Sequence, residues 1–285
     1  MIRHMRITKR DTNTPASGSA GTLHLDAGPD DRALPKPTKT RRPGLRRACA
    51  AFLLSLAFGA VGCAAGHVEQ GTPSTDVPTA APRFLALGDS YTIGESVAPA
   101  ERWPVQLVAR LRADGVAIAE PHIIARTGWT TNELDAAIDA AKPQGPYDLV
   151  SLLAGVNDQY RGGEAEAYRG AFRDLLRRAI DFAGGHPGRV IVVSIPDWGV
   201  TPFAATRDRA AITAAIDRFN AVNRDEAVKA GVRYVDVTAI SRRAAQDSTL
   251  LAPDGLHPSG SMYSEWVSAA FSEVRAALES PSTRR

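Results

Sequence analysis

From residue 83 to residue 278 the chain alternates two kinds of apolar pattern. Short runs at 84–87, 122–125, 148–153, 190–195 and 232–237 have strand length, and several are apolar without the in-and-out alternation of a half-exposed sheet. Between them, at 104–112, 131–141, 165–182 and 208–230, and after them at 260–278, apolar residues recur at helical spacing. Tyr168, Phe172, Leu175, Leu176 and Ala179 share one face of the third such segment; Ile212, Ile216 and Phe219 form a stripe on the fourth. Pro104 suits a first helical turn, where its missing N–H costs nothing. Thr131, with Asn132 and Glu133 after it, suits a helix start, and Gly184-Gly185 and Gly231 suit helix stops. This alternation predicts one α/β domain over 83–280, a parallel sheet with helices on both faces. In such sheets ligands sit beyond the carboxyl ends of the strands, so any chemistry is expected just after each run.

The segment before residue 83 has a different character. Residues 1–47 are rich in Thr, Pro, Gly and Arg with no apolar period, and read as a disordered extension. The run ACAAFLLSLAFGAV at 48–61 is 14 residues long, against roughly 20 for a membrane-spanning helix. Arg41, Arg42, Arg46 and Arg47 precede it and small residues follow, the layout of a secretory signal peptide over the end of 1–62. The string AVGC resembles a bacterial lipobox, which implies lipidation of Cys63, an exported cell-envelope lipoprotein, and membrane contact through that anchor alone. Secretion without the lipid and an uncleaved anchor stay open, as does a translation start nearer Arg41. Residues 63–82, with GTPSTDVPTAAP, read as a flexible tether.

This leader changes the charge reading. Residues 1–62 hold 11 of the 34 Lys and Arg but 4 of the 31 Asp and Glu, leaving 23 basic and 27 acidic residues beyond them. The mature part is therefore slightly acidic, and the excess of positive charge over the whole chain is no sign of nucleic-acid binding. Cys49 lies in the apolar run of the leader and Cys63 at its expected cleavage site, which leaves none in the domain, so it is held by its core without disulfides. No Cys, His and carboxylate set has metal-ligand spacing and no glycine-rich phosphate loop opens a helix, so no cofactor is expected.

Polar residues and glycines follow four of the five runs. Gly88-Asp89-Ser90 follows the first, Arg126-Thr127-Gly128-Trp129 the second and Ala154-Gly155-Val156-Asn157-Asp158 the third; Asp254-Gly255-Leu256-His257 comes after the fifth. A serine hydroxyl needs a neighbouring base to become a nucleophile. Histidine serves at neutral pH, and a carboxylate on its other nitrogen sets the tautomer. Asp254 and His257 are three residues apart, within reach across one tight turn. An acyl transition state also needs donors for its oxyanion, which a Gly128 N–H and an Asn157 amide can provide. Taken singly, Asn157 also reads as a turn amide, Asp89 as a turn-shaping acceptor and Asp158 as a helix cap.

In this order GDSYTIGE, RTGWT, GVND and DGLHP resemble the four blocks of the GDSL/SGNH hydrolase family of esterases and lipases. The resemblance spans residues 84–257. It implies a flavodoxin-like three-layer α/β/α sandwich with five parallel strands. It implies Ser90 as nucleophile, His257 as base and Asp254 as the residue orienting it, with an oxyanion hole from the Ser90 and Gly128 N–H groups and the Asn157 amide. Tyr91, Ile93, Trp129, Tyr160, Trp198 and Phe203 are candidates for the substrate pocket, with core packing the alternative for each; PDWGVTPF at 196–203 is expected to pass over the site. The expected protein is a monomeric serine esterase acting on a small-molecule, glycan or lipid ester. An acyltransferase or deacetylase acting on glycans, and a silent glycan- or lipid-binding scaffold, are the alternatives.

Overall fold

The computed structural model describes residues 81–279, and the expected extension, signal peptide, lipidated Cys63 and nearly all of the tether lie outside that range. In chain order the described residues form β1 (Phe84–Gly88), α1 (Ser90–Ile93), α2 (Trp103–Ala113), β2 (His122–Ala125), α3 (Thr131–Ala141), β3 (Leu149–Leu153), α4 (Val156–Tyr160), α5 (Ala165–Phe182), β4 (Val190–Val193), α6 (Arg209–Lys229), β5 (Arg233–Val235), α7 (Thr238–Arg242) and α8 (Gly260–Glu279), with single 3-10 turns between some of them. The five strands make one sheet in the order β2-β1-β3-β4-β5, every pair parallel. Every residue of β1, β3 and β4 is buried, which is why these strands read as unbroken apolar runs.

Right-handed crossovers decide where the helices go. The chain steps from β1 outward to β2 through α2, then reverses and steps through α3, α5 and α6 to β3, β4 and β5. That reversal sends α2 to one face, where α8 packs against it, and α3, α5 and α6 to the other. Trp103, Leu107, Tyr263, Trp266 and Val274 fill the first interface; Leu134, Ile138, Tyr168, Phe172, Ile216 and Phe219 fill the second. The sandwich expected from the sequence is thus present, with β4 and β5 ending two residues earlier than their apolar runs.

The reversal also creates a crevice between the carboxyl ends of β1 and β3, the place where an open α/β sheet binds its ligand. The register brings three loops to one edge: Gly88 of β1 lies opposite Ala125 of β2 and Leu153 of β3. Everything that follows those residues in sequence emerges at the same level.

Candidate active site

Gly88 is the last residue of β1, and no side chain fits there. A Cβ at this position would lie 2.2 Å from the Thr92 hydroxyl oxygen and 2.7 Å from the Leu153 carbonyl oxygen. Asp89 then caps the four-residue helix α1, its Oδ1 accepting from the Tyr91 N–H at 3.0 Å. The other oxygen, Oδ2, is buried without a partner. Burial pushes the carboxyl up to about 7; the Tyr91 N–H works against this, and the charge of Asp158 adds to it. Ser90, the first residue of α1, is 4% exposed and opens onto a cavity of about 190 Å³.

His257 lines the same cavity. The loop that carries it is closed by an Ala252 N–H to His257 carbonyl bond of 2.7 Å and by an antiparallel bridge between Leu251 and Pro258. Gly255, at φ 66, lets the chain turn back within the four residues 254–257. Asp254 Oδ1 accepts from the Leu256 and His257 N–H groups at 2.9 and 3.0 Å, and its Oδ2 meets His257 Nδ1 at 2.6 Å. The same Oδ2 accepts the Ser96 hydroxyl at 2.7 Å. Partial burial works to raise the Asp254 carboxyl, but the Ser96 and His257 hydrogen bonds outweigh it and hold the group well below the usual carboxylate range. With Nδ1 facing the carboxylate, Nε2 is the nitrogen left for proton transfer. The Tyr91 ring, 5.4 Å from the imidazole between centroids, packs beside it.

Two further groups reach the cavity from β2 and β3. Gly128, at φ 85, has open space where a Cβ would stand, so its backbone conformation rather than crowding favours glycine. Asn157, in the first turn of α4, donates its amide to the Trp129 carbonyl at 2.9 Å, which fixes which end of the amide is nitrogen and ties it to the Gly128 turn. Asp158 accepts the Thr131 N–H and hydroxyl at 3.0 and 2.8 Å, joining α4 to the start of α3. It is therefore not the helix cap that its position suggested but a tie between two helix starts, since the cap of α3 is Thr130. The Thr127 hydroxyl donates to the Glu95 carboxylate.

One wall of the cavity is aromatic. Tyr160, Trp198, Phe203 and Leu256 line it, and the first three rings lie 5.4 to 6.2 Å apart by centroids. Trp198 is buried and donates Nε1–H to Gln159, whereas Tyr160 and Phe203 are 42% and 43% exposed. The Arg207 guanidinium sits within 5.6 Å of all three ring centroids and donates to the Tyr160 hydroxyl.

Residues 86–264 match the family model of the GDSL-like lipase/acylhydrolase family. The chain belongs to that family. As a GDSL-family protein it is a hydrolase of carboxylic esters. No curated protein matches it in sequence. Its fold is similar to that of TesA, at 16% identity over 68% of this chain and 99% of that one, with a TM-score of 0.55. It is similar also to Axe2, an acetylxylan esterase from Geobacillus stearothermophilus (19% identity, 68% and 94% coverage, TM-score 0.53). A third similar structure is EstA, a psychrotrophic esterase from Pseudoalteromonas sp. (16%, 69% and 98%, TM-score 0.52). Among the described residues of this GDSL-family chain, no group of three or more His, Cys, Asp and Glu side chains could hold a metal ion.

Of the residues singled out in the sequence, Ser90, Tyr91, Gly128, Asn157, Tyr160, Trp198, Phe203 and His257 share this one cavity, and Asp254 stands directly behind His257. Trp129 does not line it. Its carbonyl serves the site by holding Asn157 while its ring packs, partly buried, against the core. Ile93 likewise contributes no surface to the cavity. Sequence reasoning missed Ser96, Glu95 and Arg207. None carries a local signal, since each acts through a partner far along the chain.

Proposed function

We propose that this protein is an exported serine esterase working through an acyl-enzyme on Ser90. The observation that carries this reading is the 2.6 Å contact of Asp254 Oδ2 with His257 Nδ1, with His257 and Ser90 on one cavity. In the proposed reaction Ser90 Oγ bonds to the ester carbonyl carbon while its proton passes to His257 Nε2. Asp254 stabilises the imidazolium and does not itself take the proton. The oxyanion is met by the Ser90 and Gly128 N–H groups and the Asn157 amide. The bond to the alcohol oxygen then breaks, and the alcohol leaves with the proton from His257. Water attacks the acyl-Ser90, gives a proton to His257, and the acid departs as Ser90 Oγ regains it.

The cavity, about 190 Å³, is smaller than the roughly 300–1,000 Å³ of pockets that take drug-sized ligands. It supports a short acyl group rather than a long lipid chain. Deacetylation of a glycan belongs to this range, and a substrate ring resting on the exposed faces of Tyr160 and Phe203 fits it. Export and anchoring through Cys63 rest on the leader sequence. The deciding experiment is hydrolysis of p-nitrophenyl acetate, butyrate and octanoate by the wild type and by Ser90→Ala. Turnover of the two shorter esters that disappears in the variant supports the reading, and turnover that survives in Ser90→Ala rejects it.

A further inference from the structure

Ser96 and Lys142 are the two non-glycine residues with positive φ among the described residues. Lys142 ends α3, where the left-handed conformation closes a helix. Ser96, at φ 64, ends no helix; it is the third residue of the turn from Gly94 to Val97, a place where a positive φ is usual for Gly or Asn and strained for Ser.

Its neighbours on both sides are pinned. The Glu95 N–H donates to the Ser90 carbonyl at 3.0 Å, and the Glu95 carboxylate accepts the Thr127 hydroxyl. The Val97 N–H reaches back to the Gly94 carbonyl at 3.4 Å. A backbone strained at one residue and fixed around it is a pattern found where geometry serves a site. What the strain delivers is the Ser96 hydroxyl, 2.7 Å from Asp254 Oδ2.

A carboxylate offers about four lone-pair positions. Asp254 has four donors: the Leu256 N–H, the His257 N–H, His257 Nδ1 and the Ser96 hydroxyl. Three come from its own turn and move with it. The fourth comes from the loop directly behind α1, the helix that begins at Ser90. We propose that Ser96 is a positioning residue, whose hydroxyl ties the acid of the His257–Asp254 pair to the element carrying the nucleophile. The inference rests on the reading of Ser90 as nucleophile given above. Ser96 is exposed, so water can replace its hydroxyl as a donor, but water does not link the acid to that loop.

The test compares wild type, Ser96→Gly, Ser96→Ala and Ser90→Ala in the full chain, by kcat and KM on p-nitrophenyl acetate, thermal unfolding, and the downfield proton resonance of the Asp254–His257 hydrogen bond. Glycine removes the hydroxyl and relieves the backbone strain, whereas alanine removes the hydroxyl and keeps the strain. Both Ser96 variants are expected to lose about tenfold in kcat, as for a hydrogen bond to a charged group, with KM within about twofold. Ser96→Gly is expected to melt above Ser96→Ala, and the resonance to move upfield or broaden in both. A kcat that follows stability instead, normal in glycine and low in alanine, overturns the proposal. So does an unchanged kcat and resonance in both variants while Ser90→Ala is dead, an outcome that leaves the esterase reading standing. Turnover surviving in Ser90→Ala removes the esterase reading itself. The resonance reports on Ser96 even if no tested ester is turned over: a shift supports the tie, and none rejects it.

Discussion

Asp89 and Asp254 are carboxylates close to the same serine, and their surroundings drive them in opposite directions. Asp254 is held ionised by its four donors. Asp89 is fully buried with one oxygen unpartnered, and titrates at about 7. In the unfolded chain an aspartate titrates near about 4. Between these values the folded state holds a proton that the unfolded state has already released, so the Asp89 contribution to stability falls as pH rises through that interval and is flat above it. Asp89→Asn cannot lose this proton, and its side-chain oxygen still accepts from the Tyr91 N–H. The variant is therefore expected to gain stability relative to wild type between about pH 4 and about pH 7. Urea unfolding at several pH values checks this; parallel curves would place the titration elsewhere. Asp254→Asn should keep the fold, because the amide oxygen can still accept from the turn, but should lower kcat by about 10³–10⁴-fold through the wrong imidazole tautomer. Steady-state kinetics beside the melting temperature separates the two effects.

At the scale of elements, the junction of β1 and α1 is the tightest part of the site. Gly88→Ala pushes a methyl group into the Leu153 carbonyl, a backbone atom that cannot rotate away, as well as into Thr92. A loss of about 1–3 kcal/mol is expected from such overpacking, with kcat lowered because Ser90 moves with α1. Removing the Thr92 side chain as well should recover only part of the stability, since the carbonyl contact stays; full recovery in the double variant, followed by urea unfolding, would disprove this. The long elements were legible from apolar spacing, and α3 begins and ends within a residue of its expected limits. It starts at Thr131 as expected; Thr130, one position before, forms the capping box with Glu133, while the Thr131 hydroxyl donates to Asp158 across the sheet edge. The helices α1, α4 and α7 have four or five residues, too few for a helical period to register. They exist because the loops after β1, β3 and β5 are fixed by tertiary contacts, as the Asn157 and Asp158 bonds illustrate.

Across the whole molecule, the catalytic candidates were legible because an α/β sheet sends its loops to one edge, so residues distant in sequence had to meet. The pocket wall was legible only in part. An aromatic side chain reads the same whether it fills a core or faces a cavity, and Trp129 went to the core while Tyr160, Trp198 and Phe203 built the wall. Its members come from α4 and from the loop after β4, with Arg207 over their rings. Of the three, Trp198 is buried and supports its neighbours, whereas Phe203 is 43% exposed and can be cut back at small cost to the fold. Phe203→Ala should therefore open the cavity outward while changing stability by less than the roughly 3–5 kcal/mol of a buried aromatic truncation. The expected consequence is a shift in chain-length preference. The ratio of kcat/KM for p-nitrophenyl octanoate over acetate should rise about fivefold or more, a change of about 1 kcal/mol and within the range of one or two methylenes in an apolar pocket. An unchanged ratio in a folded variant would mean that the acyl group lies elsewhere on the cavity wall, and that Phe203 faces the alcohol side of the ester.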